Sequence, residues 1–588
     1  MSGVARFVGF CVHVLPPLLL VALVVIASAQ YAVTRSIVLG LPAVNEEGEG
    51  VIIPARIYLY YPGSGIVDVK PSNLVASDTR DSVKVAYYYA AMSTEHDPLG
   101  YDLLVDFNTG LSVGGPSASG FIAAGTIMLF KGVEPPVNAT MTGMLAPNGL
   151  LLPVAGIPAK VVAASRNGYE LMVIPATAAV ELPKENITIV RVCSVDDAVG
   201  VLGGLKPLTV NISVVLAKEV FGEIASRLVN DTRFFMGVAE EIAKELRPSQ
   251  AKAVRKFIEY AERALEDHNY YSAASLAFVA AYNASKAYIE GGGGVEKLWQ
   301  ILGKPDKVRA KAAKHVEAAR LKFEAAQHVG IWGFEALAMA EVRLYLSEAL
   351  AESKKPLDQV VSVLRAYTAF SWAKLADPTL GPKVSHDVLE KAALVSIAYA
   401  EAVKDYVLNY VPRFKVAGSV DPDKWLNEAR RALAMGLYAR AFGLSAMLVA
   451  DATGVLSVVF KADQKTLYTC SARQVILNNV WLSHNLGSPS LVSILLYNYA
   501  QNYASKLLGR LIGVSLLNEA ASYALLDKLF TILSQAERAK GPGLQPLSID
   551  AVVRFALAML AIYAGVAYTA FIVALGRREK YSWEDLRG

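Results

Sequence analysis

From Phe555 to Gly576 the chain runs for 22 residues without a charge, about 33 Å as a helix and enough to cross the hydrocarbon core of a bilayer. Nothing else in the sequence narrows the architecture as far. Arg577, Arg578 and Lys580 follow at once, with Tyr581 and Trp583 suited to the interface. The positive-inside rule then puts the tail, residues 577–588, in the cytoplasm and everything before Phe555 outside. The other end agrees. Residues 1–29 read as an export signal, with Arg6 as the positive n-region, Leu15 to Ile26 as the apolar h-region and Ala27-Ser28-Ala29 as a small-residue cleavage site. An uncleaved anchor is the competing reading. Both ends predict one topology: a single-pass cell-membrane protein with its ectodomain outside and a transmembrane helix at residues 555–576. Sequons at Asn138, Asn186, Asn211, Asn230 and Asn283 lend weak support. The apolar run from Leu491 to Leu517 is interrupted by Asn498, Gln501, Asn502, Lys506 and Arg510, so it reads as a packed helix and not as a span.

Length and composition set the remaining bounds. At 588 residues the chain needs more than one core. A net charge of +4 over that length argues for no nucleic-acid partner. Of the three cysteines, Cys11 lies in the N-terminal apolar run, which leaves Cys193 and Cys470. With no CxxC and no Cys/His cluster, no zinc site is expected. A Cys193–Cys470 bridge in an oxidising compartment and two buried free thiols both fit.

Composition changes near residue 215. Before it, β-rich runs at Ile52 to Tyr61, Tyr101 to Phe107, Leu171 to Ile174 and Ile187 to Val192 alternate with helical patterns at Asp81 to Met92, Ser117 to Phe130 and Ala159 to Ser165. This predicts one mixed α and β domain over residues 31–205. From 215 to 545 the pattern is almost wholly helical, rich in Ala, Leu, Glu, Lys and Arg at i, i+3, i+4 spacing. Helical hairpins are expected from Ala251 to Asp267 with Tyr270 to Ile289, Val308 to Val329 with Phe334 to Ser353, and Lys424 to Met435 with Tyr438 to Ala450. The array is tetratricopeptide-like without a fixed period, and its alanine and aromatic stripes read first as core.

The chemistry-bearing stretch is Gly114-Gly115-Pro116-Ser117-Ala118-Ser119-Gly120. Pro116 suits the opening of a helix, and the apolar run from Phe121 to Phe130 continues one. Ser117 therefore sits near a helix N-terminus, where free N–H groups and the dipole favour negative charge. A hydroxyl attacking a carbonyl there has an oxyanion site beside it, framed by the backbone at Pro116 and Ala118. A turn of this kind also binds phosphate or merely caps a helix.

Further on come Met141-Thr142-Gly143, then Leu150-Leu151-Leu152-Pro153-Val154-Ala155-Gly156-Ile157-Pro158-Ala159-Lys160, Ala163-Ala164-Ser165-Arg166-Asn167-Gly168 and Met172-Val173-Ile174-Pro175. In their order these segments resemble the proteolytic domain of the Lon protease family, in the membrane-anchored archaeal-type form without an ATPase module. The resemblance runs over roughly residues 36–203, and 43 residues separate Ser117 from Lys160, as in the family. It implies an α+β Lon-type domain and a serine endopeptidase with a Ser–Lys dyad: Ser117 as nucleophile, Lys160 as general base, Thr142 holding the lysine. A lysine serves as base only when its neutral form is favoured, which apolar Ile157, Val161 and Val162 and the positive helix end would promote. Three positions depart from the family pattern. Gly114 and Met144 stand where acidic residues are common, and Ala155-Gly156 replaces a double glycine, which puts gating and substrate contacts in question.

No GxxxxGK[ST] phosphate loop occurs, and the Gly291 to Gly294 run lacks the following Lys-Ser/Thr. The expected activity is thus ATP-independent cleavage of peptides or unfolded proteins, with no cofactor and no metal. A homo-oligomer is implied by the resemblance alone. The alternatives are an inactive Lon-like scaffold at the cell surface, a small-molecule kinase using Gly110 to Gly120 as its phosphate loop, and a Ser/His/Asp triad through His96 and Asp106.

Overall fold

Strict alternation builds the first sheet. In β2 (Gly50–Tyr61), Ile53, Ala55, Ile57 and Leu59 are buried while Pro54 and Arg56 face out, the period of two expected of a half-buried strand. The structure is a computed structural model that describes residues 32–110, 112–136, 138–203, 226–460, 462–503 and 507–539. The expected export segment, the apolar run Phe555 to Gly576 and the tail after it lie outside these residues, as does Asn211. β1 (Ala32–Val44) pairs antiparallel with β2, placing Ile37 opposite Ile57. β4 (Asp102–Phe107) pairs antiparallel with the other edge of β2, and β3 (Val67–Lys70) runs parallel to β4, giving the order β1-β2-β4-β3. A second, parallel sheet has the order β5-β8-β9, from Ala139–Met141, Leu171–Pro175 and Thr188–Val192. Between them β6 (Met144–Leu145) and β7 (Leu151–Leu152) form a short antiparallel ladder.

Four helices complete this half: α1 (Ser77–Ser93), α2 (Ser119–Lys131), α3 (Ile157–Arg166) and α4 (Val195–Leu202). α2 packs on β1, β2 and α1. Every residue of it from Ser119 to Phe130 is buried, as expected of a helix that is apolar all round.

The remainder is helical, and its starts are written in the sequence. Proline stands at the opening of α6 (Pro248–Glu266), α9 (Pro305–Ala325), α11 (Pro356–Leu375) and α13 (Pro422–Ala434), where its missing N–H costs nothing. Side chains of Ser385, Asp463 and Ser490 cap α12 (His386–Leu408), α15 (Gln464–Asn485) and α16 (Leu491–Gln501). The others are α5 (Val229–Ala243), α7 (Tyr270–Glu290), α8 (Val295–Leu302), α10 (Ile331–Ala351), α14 (Tyr438–Val459) and α17 (Leu507–Ala539). The run from Leu491 to Leu517, read as one packed helix, is divided between α16 and α17. α6 packs with α7 and α13 with α14, but α9 and α10 both pack more extensively on α11 than on each other.

α14 is long and apolar enough to cross a membrane, yet 78% of its most apolar window is buried inside the protein. It is a core helix, packed on α10, α12 and α13.

One buried cluster runs without a break from β1, β2, α1 and α2 into α10, α12, α14 and α17. A second, on α5 to α8 with parts of α11 and α16, includes Phe235, Ile258, Leu298 and Val363. The described residues up to Ser534 form one compact unit. Polar links join its two chemically different parts: Arg473 pairs with Asp197 at 2.5 Å, and Trp481 Nε1 donates to Glu95 at 3.1 Å. Cys193 and Cys470 are disulfide-bonded across the same boundary, 277 residues apart in sequence.

Candidate active site

Gly115 has φ +91°, a conformation that L side chains rarely adopt. It lets the chain turn sharply into the 3-10 turn Pro116–Ala118, which leads directly into α2. Two residues in the first turn of α1 hold the entry. Asp78 Oδ2 accepts the Gly115 N–H at 3.0 Å, and Thr79 Oγ1 donates to the Gly115 carbonyl at 3.1 Å. Ser119 fixes the exit, donating to the Pro116 carbonyl at 2.7 Å and accepting from Leu145 N at 2.8 Å. Gly120 must lack a side chain: a Cβ there would stand 2.8 Å from the Gly143 carbonyl oxygen. Gly143 N donates to the Ser117 carbonyl at 3.0 Å, and Gly120 N to the Gly143 carbonyl at 3.1 Å. The serine turn is thereby stitched to the strand end carrying Thr142.

Ser117 is half-buried. Of the two residues expected to frame an oxyanion site, Pro116 has no N–H to donate. The donors that open the turn are the N–H groups of Ser117 and Ala118, where helical geometry leaves the first N–H groups without intrahelical acceptors.

Thr142 and Lys160 converge on this turn. Lys160, fourth residue of α3, is 3% exposed, and Ile157 and Val161 of its own helix are buried beside it. Its Nζ lies 3.3 Å from Thr142 Oγ1, which in turn donates to the Ser117 carbonyl at 3.3 Å. Lysine and serine thus meet through the threonine hydroxyl. The Ser117 hydroxyl itself makes no hydrogen bond with a described residue. Burial pushes the Lys160 ammonium down to about 8, so about a tenth of it is neutral at pH 7. A neutral amine, a nearby serine and free N–H donors are the parts that acyl transfer requires.

The helical region reaches the same turn. Tyr406 of α12 donates to the Leu145 carbonyl at 3.1 Å, and Tyr399, two turns earlier, donates to the Pro147 carbonyl. Tyr410 faces Asp78, and burial together with that carboxylate pushes its phenol up. Sequence reasoning missed Asp78, Ser119 and Tyr406. Ser119 lay inside the quoted segment, but nothing local marks Asp78 or Tyr406, which the fold brings from 37 residues upstream of Gly115 and 261 residues downstream of Leu145. Where the family pattern has an acid before the serine, Asp78 supplies a carboxylate to this turn from another element. Met144 is buried in the β6–β7 ladder opposite Leu152.

His96 is not part of this constellation. Its ring stacks on Phe130 with centroids 4.4 Å apart, near the C-terminal end of α2. Ser117 precedes the opposite end, about 18 Å away along a 13-residue helix. Asp106 is ordered on β4 between Arg56 and Lys70. Among the described residues no group of three His, Cys, Asp or Glu side chains is placed to hold a metal ion.

Comparison with known proteins bears on residues 101–202, which match the Lon protease (S16) C-terminal proteolytic domain. This part of the chain is therefore a Lon-type proteolytic domain, and the match supports a serine peptidase at the level of the family. The chain is 32% identical over 124 residues to the Lon protease of Anaeromyxobacter dehalogenans, covering 20% of this chain and 14% of that protein. It is 27% identical over 170 residues to the Lon protease of Rickettsia felis, covering 27% and 21%. Against the mitochondrial Lon protease homolog of the mouse the figure is 36% over 105 residues, covering 16% and 11%. The chain thus spans between about a tenth and a fifth of the length of these relatives.

Proposed function

We propose that the protein is an ATP-independent, membrane-anchored serine endopeptidase that hydrolyses peptides or unfolded proteins outside the cytoplasm. The observation that carries this reading is the chain of contacts from Lys160 Nζ through Thr142 Oγ1 to Ser117 in a stretch similar to Lon proteolytic domains. In the proposed mechanism neutral Lys160 takes the Ser117 proton as Oγ attacks the scissile carbonyl. The N–H groups opening the Pro116–Ala118 turn stabilise the oxyanion. Lys160 then returns the proton to the leaving amine, and water, activated by the same lysine, releases the acyl group.

Placement outside the cytoplasm draws on the Cys193–Cys470 bridge, since disulfides persist in oxidising compartments. It draws also on the export and stop-transfer patterns at the two ends of the sequence. ATP independence draws on the missing phosphate loop. A homo-oligomer is proposed from the resemblance to the Lon family alone.

The test is cleavage of casein, an unstructured protein, by the full chain in detergent with no nucleotide. Ser117→Ala and Lys160→Ala variants of matched thermal stability are each expected to lose at least about a thousandfold in kcat/KM. Cleavage that survives both substitutions sinks the mechanism. A folded wild-type chain that cleaves nothing, in detergent or in vesicles, transfers the weight to a binding or scaffold role.

A further inference from the structure

Far along the chain from the site above, α5, α7, α10, α11, α16 and α17 surround a cavity of about 230 Å³. Its walls are of two kinds. Tyr271, Phe278 and Trp372 supply rings, while Arg343 and Arg365 supply guanidinium groups and Glu519 a carboxyl.

Arg343 and Arg365 are half-buried, and guanidinium groups drawn away from water persist where something complements them, because desolvating a cation without a partner is expensive. Neither the Arg343 nor the Arg365 guanidinium makes a hydrogen bond, or an ion pair within 4.0 Å, with a described residue. The Arg365 guanidinium instead lies over the Phe278 ring, 4.9 Å from its centroid. Burial and the like charge of Arg343 press Arg365 down to about 9. Asp451 and Glu519 act on both arginines through space, yet stop short of contact. Asp451 is already engaged by the Ala417 N–H. Glu519 faces the cavity, where burial and then Asp451 push its carboxyl up to about 8.

Two guanidinium groups and a carboxyl group thus face one gap instead of closing on one another. The gap is smaller than the roughly 300–1,000 Å³ of drug-sized sites, so its occupant is a small molecule. The paired arginines suit a carboxylate, for which guanidinium geometry is bidentate. Glu519 and the ring faces suit an ammonium and an apolar side group. We propose that this cavity binds a small zwitterion, a free α-amino acid or dipeptide, with its carboxylate on Arg343 and Arg365 and its ammonium toward Glu519. Peptide hydrolysis releases this class of molecule, but the binding argument stands on the cavity alone.

The experiment is isothermal titration of the full-length Ser117→Ala chain in detergent, so that no probe is consumed. The probes are L-phenylalanine, the dipeptide Ala-Phe, its C-terminal amide and its N-acetyl form. Saturable binding of at least one free probe is expected, weakened about tenfold or more by amidation and by acetylation. Arg343→Gln and Arg365→Gln should each weaken it by a similar factor, with melting curves showing the variants folded. Because the blocked probes meet an unaltered cavity, the result stands even if an arginine variant fails to fold. No saturable binding of either free probe at millimolar concentration overturns the proposal, as does equal binding of the free and blocked dipeptides.

Discussion

Lys160 is a cation that the fold makes inconvenient. Its neighbours are apolar and its one side-chain partner is a threonine hydroxyl, so burial alone lowers its affinity for a proton. Two consequences can be measured. The first is kinetic. If Lys160 is the base, kcat/KM rises with pH on a limb whose midpoint lies near 8, the value to which the group is pressed. A flat profile between pH 6 and 9 would remove lysine from that role. The second is thermodynamic. The unfolded chain holds this proton up to about pH 10.5, whereas the folded site releases it near 8. Between those values the unfolded state binds more protons, so stability rises with pH across that window. Below pH 8 the buried ammonium costs up to about 3 kcal/mol. Lys160→Met is therefore expected to abolish cleavage and raise the melting temperature at pH 7, with the pH 8 to 10.5 slope gone. A variant that is both inactive and less stable would mark Lys160 as a structural residue instead.

At the scale of elements, the turn carrying Ser117 is held by groups from α1, β6 and α12 as well as by Ser119 of its own segment. Between Ser117 and Tyr406 the described residues form ten helices before the chain returns. Tyr406→Phe removes one hydroxyl and leaves the Leu145 carbonyl without that donor, while Leu145 N still holds Ser119. A hydrogen bond of this kind contributes about 1–1.5 kcal/mol. The expected effect, if the turn is the nucleophile turn, is a fall of about tenfold in kcat with KM nearly unchanged. A proportionate rise in KM with kcat intact would place Tyr406 in substrate binding. This geometry also explains what sequence could reveal. Ser117, Thr142 and Lys160 were legible because each sits in a short motif whose glycines and prolines fix the backbone around it. Gly115 needs its positive φ, and Pro158 opens α3. Asp78 and Tyr406 were illegible because a carboxylate in a helix's first turn and a tyrosine in a helix core are ordinary features, given meaning only by contacts across the fold. The same holds for α9 and α10. Adjacent in sequence, they read as a hairpin, but each packs more extensively on α11.

For the whole molecule, the question is whether the helical region is a neighbour of the proteolytic domain or part of its working structure. The buried cluster shared between α1, α2, α12 and α14 favours the second, and the disulfide gives a way to ask. Cys193 follows β9, and its carbonyl accepts the Leu151 N–H at 3.0 Å, at the far side of the β6–β7 ladder that fastens the serine turn. Cys470 lies in the second turn of α15. The bond therefore ties the helical region to the ladder itself. Closing a loop of 277 residues limits the unfolded chain, an effect of about 2–4 kcal/mol. The Cys193→Ser/Cys470→Ser double variant is expected to melt several degrees lower than the parent chain. Its casein cleavage should fall more steeply with temperature, before the far-ultraviolet signal of the helices is lost, because the ladder loosens first. In the exported parent chain, both cysteines should resist alkylation under denaturing conditions until a reductant is added. Recovery of both as free thiols would withdraw the bond and, with it, the chemical argument for an oxidising compartment. An unchanged temperature profile with the bond confirmed would instead leave the shared core alone to couple the two regions.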